Sequence, residues 1–191
     1  MKKLNGLMID CSRLIERHSY YFRLLDYMAD WGMNVLLLHF SDDYGCAVEL
    51  PGFEKLALPR AFSAAQTRKL IEHATTKGIE VIPELETFGH TRFITDRREY
   101  RDLFVGPAQE KLTFNAIDPL APRTHELMQG LIGAAARLFP SKHLHLGCDE
   151  VNMKDYCQQR GLDEAAVWAD YVNKMIGYAR AEKKTPLIWA D

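Results

Sequence analysis

The stretch NVLLLHFSDD, residues 34–43, decides the fold class. Residues 34–40 are apolar almost without interruption and lack the polar alternation of a strand that faces water on one side. Such a run is typical of a strand buried on both faces, as in a parallel sheet. Two acids, Asp42 and Asp43, follow where the strand is predicted to end. The stretch therefore predicts a buried parallel strand whose carboxyl end carries polar groups.

Four more strands and four amphipathic helices alternate around this stretch. Ser63 and Gln66 have the spacing of a capping box, and Gly78 is a typical stop for the helix they begin. The predicted strands are residues 6–10, 79–83, 143–147 and 185–189, and the predicted helices cover about residues 20–31, 63–77, 123–139 and 163–183. This strict alternation predicts one α/β domain over residues 1–191, with a parallel sheet wrapped by helices.

Two architectures fit this alternation: a doubly wound open sheet and a (β/α)8 barrel. The G-x-G-x-x-G fingerprint of dinucleotide-binding sheets does not follow the first strand. Polar residues instead follow all five predicted strands, namely Asp10, Arg13, Asp42, Asp43, Glu84, Glu86, Asp149, Glu150 and Asp191. The carboxyl ends of barrel strands converge on one mouth, where active sites lie. We therefore predict a TIM-type (β/α)8 barrel, of which this chain contains roughly the first five β/α units.

Composition argues against several classes of protein. The formal net charge of −2 over 191 residues, without a run of Lys and Arg, argues against a nucleic-acid partner. No stretch approaches the roughly 18 apolar residues of a membrane span, so no membrane association is predicted. The four cysteines lack C-x-x-C spacing, which indicates neither a zinc site nor a disulfide framework. These features predict a protein of the reducing cytoplasm.

The acid pair Asp149-Glu150 ends the stretch HLHLGCDEV, residues 143–151. Ionised carboxylates resist burial unless they are paired, hydrogen-bonded or held for chemistry. Neighbouring strand residues point to opposite faces, so both acids reach one site only if the strand ends or bulges between them. If they share a site, one carboxylate raises the pKa of the other, as a general acid requires. The alternative is that Asp149 caps the next segment and Glu150 is solvated.

Five stretches in order resemble the motifs of glycoside hydrolase family 20, the β-N-acetylhexosaminidases, and most closely the hexosaminidase D branch. They are GLMIDCSR (residues 6–13), NVLLLHFSDD (34–43), VIPELETFGH (81–90), HLHLGCDEV (143–151) and PLIWAD (186–191). Phe88 stands where most of the family has Pro, and Cys148 where most have Gly. The resemblance implies an eight-stranded barrel, so we expect the chain to be truncated after about five strands.

The resemblance also implies a retaining, substrate-assisted mechanism through an oxazolinium intermediate, without a metal or other cofactor. Glu150 would be the general acid and base, and Asp149 would orient the 2-acetamido group of the sugar. The family's substrate is a terminal β-linked N-acetylhexosamine (GlcNAc or GalNAc) on a glycan or glycoconjugate.

The resemblance assigns the remaining site residues to substrate binding. Arg13 would bind the 3- and 4-hydroxyls of the sugar, and Asp42 and His90 would brace the site and tune the acid. Trp189 would form a wall of the acetamido pocket, and Asp191 would contact a sugar hydroxyl. The alternatives are a surface salt bridge for Arg13, a core histidine for His90 and a core tryptophan for Trp189. Glu84 and Glu86 are expected to support the site.

Two other functions compete with this one. His143 and His145 lie on one face of a strand, as the ligands of metal-dependent barrel hydrolases do. Here the pair opens the fourth strand, which predicts a position near the barrel bottom, away from the chemistry. The other alternative is a sugar-binding remnant that has lost catalysis.

In addition, strands one and five would be open edges, which predicts self-association.

Overall fold

The computed structural model describes residues 3–105 and 116–189. Within these ranges the strands are β1 Gly6–Asp10, β2 Val35–His39, β3 Ser41–Asp42, β4 Gly45–Val48, β5 Ala57–Phe62, β6 Glu80–Glu84, β7 Phe104–Val105, β8 Ala116–Ile117, β9 His143–His145 and β10 Thr185–Leu187. The α-helices are α1 His18–Asp30, α2 Ala64–Thr76, α3 Arg92–Thr95, α4 Pro122–Leu138, α5 Lys154–Arg160 and α6 Glu164–Ala181. Two 3-10 turns lie at Glu54–Leu56 and Arg98–Leu103.

The central sheet has five parallel strands in the order β1-β2-β6-β9-β10. Every strand joins the sheet beside the one before it in the chain, so the order never reverses. A doubly wound sheet reverses its strand order at a switch point, whereas a barrel adds each strand to the same edge. The strand order thus distinguishes the two predicted architectures, and it is that of the first five β/α units of a TIM-type barrel.

The helices pack on the sheet face opposite the site. Leu36 and Leu38 of β2 are buried in one hydrophobic core with Leu131 and Ile132 of α4. His39 lies one position from Leu38 and three from Leu36, so its side chain points to the other face of the sheet. Alternation along β2 therefore directs Leu36 and Leu38 to the helices and His39 to the side of the site.

The local signals at helix starts are confirmed. The Ser63 side chain accepts a hydrogen bond from the Gln66 N–H at 3.2 Å, and the Gln66 side chain accepts one from the Ser63 N–H at 2.8 Å. These reciprocal bonds complete the predicted capping box of α2. Asp163 caps α6 through the Ala166 N–H at 2.8 Å.

Several short segments were not predicted, and two of them position the site. The antiparallel hairpin of β3 and β4 follows β2 directly, and β5 pairs parallel with β4. This hairpin holds Asp42 inside a strand, where the sequence indicated only a strand end. The four-residue helix α3 begins two residues after His90. Strands this short carry no periodic signal, which is why sequence patterns miss them.

Two predicted strands end earlier in the structure. β9 stops at His145 and β10 at Leu187, whereas both had been predicted to continue for two more residues. β1 and β10 are the two edges of the central sheet, and self-association through them stays a prediction. Among the described residues, no helix combines the length and apolar character required to cross a membrane.

Candidate active site

The chain leaves the strand conformation directly before the acid pair. The φ angles of Gly147, Cys148 and Glu150 are 64°, 75° and 51°, all in the left-handed region. These turns interrupt the alternation of side chains that a continuing strand would impose. As a result both acids face one imidazole: His90 Nε2 lies 3.0 Å from Glu150 Oε2 and 3.8 Å from Asp149 Oδ2.

Two glycines allow this backbone to approach its neighbours closely. A Cβ on Gly147 would lie 2.0 Å from Glu86 Oε2, and a Cβ on Gly89 would lie 2.2 Å from the Asp149 carbonyl oxygen. Real Cβ atoms essentially never come this near to another heavy atom. The two positions therefore require glycine, and the segment after β6 fits directly against the backbone of the acid pair.

His90 connects the acid pair to two aspartates of the β3–β4 hairpin. Its Nδ1 lies 3.5 Å from Asp42 Oδ2 and 3.5 Å from Asp43 Oδ2, while its Nε2 contacts Glu150. Burial lowers the pKa of His90, but the hydrogen bond to Asp43 and the charges of Asp42 and Asp149 outweigh it and raise that pKa. The imidazolium form is thus favoured between the acids on its two sides.

Asp42 is a buried carboxylate with three cationic neighbours. Its Oδ2 lies 2.7 Å from an Arg13 guanidinium nitrogen and 3.2 Å from His39 Nε2, besides the contact with His90. Burial raises the pKa of Asp42, but His39, His90 and Arg13 outweigh it and lower that pKa. Arg13, which also binds Asp10 at 2.6 Å, keeps 45% of its side chain exposed. Asp42 therefore holds an exposed guanidinium at the edge of the site.

His39 and Glu84 continue this chain of contacts beneath the site, and sequence reasoning gave His39 no role. His39 Nδ1 lies 3.3 Å from Glu84 Oε2, and the Trp189 indole N–H donates to Glu84 Oε1 at 2.6 Å. Burial lowers the pKa of His39, but its interactions with the Asp42 and Glu84 carboxylates raise it to about 9. The pairing of His39 and Asp42, three positions apart across a strand end, was the available signal.

Glu86 is fully buried against Gly147, beside the acid pair. Burial is the largest cause that raises its pKa well above the ordinary value, and the charges of Asp149 and Glu84 raise it further. The Cys148 N–H offsets only part of this. Glu86 consequently favours its neutral, protonated form. Its closeness to the acids agrees with the expected supporting role, which stays a prediction.

The prediction that the H-x-H pair lies away from the chemistry is wrong for His145. His143 does lie at the opposite end of the sheet, where Nδ1 contacts Glu80 at 2.9 Å. His145 Nδ1, however, lies 3.4 Å from Glu84 Oε1, and its ring centroid is 4.6 Å from that of Trp189. The reason is that β9 has only three residues, so its third member already reaches the carboxyl edge.

The structure brings five of the predicted site residues into one connected group. Arg13, Asp42, His90, Asp149 and Glu150 are joined by the contacts given above. Trp189 joins them only through Glu84 and His39. The remaining predicted residue, Asp191, lies outside the described residues.

Within the part of the chain that the structure describes, three sets of side chains place possible metal-binding atoms within 4.8 Å of one another: His39, Glu84 and Glu86; Asp42, Asp43 and His90; and His90, Asp149 and Glu150. A metal requires a neutral imidazole nitrogen. The acids around His39 and His90 raise the pKa of both imidazoles and so favour their protonated forms. A metal ion at any of these sets would therefore have to displace a proton from His39 or His90.

Two acids beside a histidine, at the carboxyl edge of a parallel α/β sheet, form the kind of site that acid–base hydrolases use. The family model for the glycosyl hydrolase family 20 catalytic domain matches residues 3–191, and the chain belongs to this family. The resemblance seen in the five sequence motifs is thereby confirmed.

The chain is similar to part of several β-hexosaminidases. It is 28% identical to the β-hexosaminidase subunit beta of Homo sapiens over 206 residues, which cover 97% of this chain and 37% of that protein. It is 26% identical to the β-N-acetylhexosaminidase of Cellulomonas fimi over 202 residues, which cover 95% of this chain and 40% of that one. The chain thus spans about two-fifths of the length of these curated relatives.

Solved structures share the fold. A family 20 exo-β-N-acetylglucosaminidase from Vibrio harveyi, in complex with N-acetylglucosamine, matches with a TM-score of 0.81 at 22% identity, over 97% of this chain and 35% of that one. A family 20 β-N-acetylhexosaminidase from Streptomyces coelicolor A3(2) matches with a TM-score of 0.81 at 23% identity, over 97% and 39%. The predicted TIM-type α/β fold is confirmed.

Proposed function

We propose that the protein containing this chain removes terminal β-linked N-acetylhexosamine, GlcNAc or GalNAc, from a glycan or glycoconjugate. The proposed reaction retains anomeric configuration and is substrate-assisted, through an oxazolinium intermediate. The observation that carries the proposal is the connected series of Glu150, His90 and Asp42, with Asp149 on the same imidazole. Membership in a glycosidase family supports it.

The two acids suit different steps of this reaction. Glu150 is 43% exposed in its side chain and can reach a glycosidic oxygen, whereas Asp149 is 21% exposed and lies deeper. In the proposed mechanism Glu150 protonates the leaving oxygen and then removes a proton from the incoming water. Asp149 accepts a hydrogen bond from the acetamido N–H, and it stabilises the positive charge that develops as the acetamido oxygen attacks the anomeric carbon.

The cationic and aromatic groups suit recognition of the sugar. The planar donor fork of Arg13 is held by Asp10 and Asp42, so its remaining donors can bind vicinal hydroxyls. Trp189 is fixed by its bond to Glu84 and offers an aromatic wall for the acetamido methyl group. Asp191 completes the proposed set of sugar-binding residues.

The experiment is hydrolysis of chromogenic β-N-acetylglucosaminide and β-N-acetylgalactosaminide by the full protein. We expect turnover that Glu150→Gln abolishes and that Glu72→Gln, an exposed glutamate on α2, leaves unchanged. Early products should carry the β-configuration in proton NMR spectra. Saturable sugar binding without turnover would instead indicate a non-catalytic remnant, and activity lost to a chelator would indicate the metal hydrolase.

A further inference from the structure

A continuous line of contacts runs from the aromatic wall to the acid. It starts at the Trp189 indole N–H, 2.6 Å from Glu84 Oε1, and crosses the Glu84 carboxylate to His39 at 3.3 Å. From His39 it continues to Asp42 at 3.2 Å, and from Asp42 to His90 at 3.5 Å. The last contact joins His90 to Glu150 at 3.0 Å.

The middle of this line is sealed from solvent. Glu84 and Asp42 have no exposed surface, and His39 retains 3%. Charges inside a protein interact more strongly than in water because the local dielectric constant is low. A change of charge at Glu84 therefore alters the electrostatic potential at Asp42, although the two carboxylates contact His39 rather than each other.

Resting on the proposed function, we propose that Glu84 is a positioning residue: through His39, Asp42 and His90 it couples the Trp189 wall of the sugar pocket to the Glu150 acid. Glu84 itself contacts neither the proposed reacting atoms nor His90, the histidine beside the acid pair. Its two oxygens instead face different parts of the site, Oε1 the indole and Oε2 the imidazole. The Glu84 carboxylate thereby fixes the orientation of the Trp189 indole and stabilises the positive charge of His39.

The direction of the coupling follows from the groups around His39. The charged or titratable groups that face it are Asp10, Asp42, Glu84, Glu86 and His145. Replacing Glu84 with the neutral isostere Gln removes one of the two carboxylates that lie within ion-pair distance of this imidazole. His39 then loses its proton at lower pH. Burial favours the neutral imidazole, and fewer negative charges remain to oppose that effect.

Loss of charge on His39 propagates along the series. Asp42 would then share its negative charge mainly with His90 and Arg13, so His90 would hold its proton more firmly. A more persistent imidazolium favours the ionised form of the neighbouring Glu150. The basic limb of the pH profile of kcat/KM consequently moves to lower pH.

The first test does not depend on turnover. NMR titration of His39 in the full protein should show its pKa fall by about one unit or more in Glu84→Gln, as removal of an adjacent opposite charge does. The Trp189 indole N–H resonance should move at the same time. Glu80→Gln is the matched control, because Glu80 lies on the same strand but bonds His143 and Ser141 at the other end.

A second variant, Trp189→Phe, is expected to change the pKa of His39 in the opposite direction. Trp189→Phe removes the indole donor and leaves Glu84 with less stabilisation of its charge, so Glu84 interacts more with His39. The pKa of His39 should therefore rise. This variant retains the carboxylate, so it decides the matter if Glu84→Gln does not fold. An unchanged His39 titration in the variant that folds, or an equal change in Glu80→Gln, would overturn the coupling.

The kinetic arm separates this inference from the proposed function. In Glu84→Gln the basic limb of kcat/KM should move to lower pH and kcat should fall more than KM rises, whereas in Glu80→Gln both should stay as in the wild type. If the wild type lacks turnover, the proposed function fails while the NMR titration still decides the coupling. If turnover is present and the limb does not move, the coupling to the acid is wrong and the proposed function stands.

Discussion

Gly89 and Asp149 are in direct backbone contact: a Cβ on Gly89 would lie 2.2 Å from the Asp149 carbonyl oxygen. The segment that carries His90 thus supports the segment that carries the acids. Gly89→Ala should force them apart, and overpacking of this kind costs about 1–3 kcal/mol. We expect urea denaturation to show a loss of that size, together with loss of the proposed sugar binding by the full protein.

Gly177→Ala is the matched control for Gly89→Ala. Gly177 lies inside α6 with no neighbouring atom within 4 Å of the added Cβ. Alanine in a helix interior is favoured over glycine by about 1 kcal/mol. This variant should therefore be more stable than the wild type and leave the proposed sugar binding unchanged. Equal stability of the two variants would show that the Gly89 contact is unimportant.

Cys148 has a φ of 75°, which is unfavourable for a residue with a Cβ. Its Sγ lies 3.4 Å from both Thr87 Oγ1 and the Leu146 carbonyl oxygen. Replacement by Ala removes these contacts but keeps the backbone strain, whereas Gly removes both. Cys148→Gly should thus be more stable than Cys148→Ala by about 1 kcal/mol in thermal or urea unfolding.

The opposite order is expected at Cys157, a buried residue of α5. There the backbone is helical, so Cys157→Gly should be less stable than Cys157→Ala by about 1 kcal/mol. The same order at both cysteines would argue against strain at Cys148.

The pKa of His39 is raised to about 9 in the folded protein, from 6.5 in the unfolded chain. A raised folded-state pKa contributes stability that is complete below the unfolded value and is lost as pH rises through the folded value. The free energy of unfolding should therefore decrease between about pH 6.5 and 9, by on the order of 3 kcal/mol. His39→Gln should weaken this dependence, and an unchanged pH dependence in that variant would show that His39 does not cause it.

Glu86 favours its protonated form because burial and the nearby acids raise its pKa. Its ionisation opposes folding, so the stability it contributes is complete below its unfolded pKa and decreases as pH rises. Glu86→Gln copies the neutral form, and we expect it to unfold at pH 8 with at least the wild-type free energy. Glu84→Gln should lose stability under the same conditions, because it removes an ion pair with His39.

The fold was predictable because its signals are long and periodic. The apolar run at residues 34–40, the capping box at Ser63 and the alternation of strands with helices each identify an element without tertiary context. The short hairpin of β3 and β4 has no such signal, since two-residue strands depend on tertiary contacts. The exact ends of β9 and β10 were missed for the same reason.

The sequence indicated which residues form the site but not how these residues contact one another. Five residues were found from their places after strands and from the family motifs. His39 was missed because a single histidine in an apolar strand has the pattern of a core residue. The left-handed backbone at Glu150 was also unpredictable, because only Gly147 in that segment is a residue type that favours positive φ.

The contacts of the site join distant parts of the chain: His90 and Glu150 are 60 positions apart, and Glu84 and Trp189 are 105 apart. Such contacts close large loops, whose entropic cost delays them during folding. On refolding of the full protein from denaturant, helical circular dichroism should thus recover before the proposed sugar binding. Ligand binding would then report the fraction of molecules whose whole sheet has assembled.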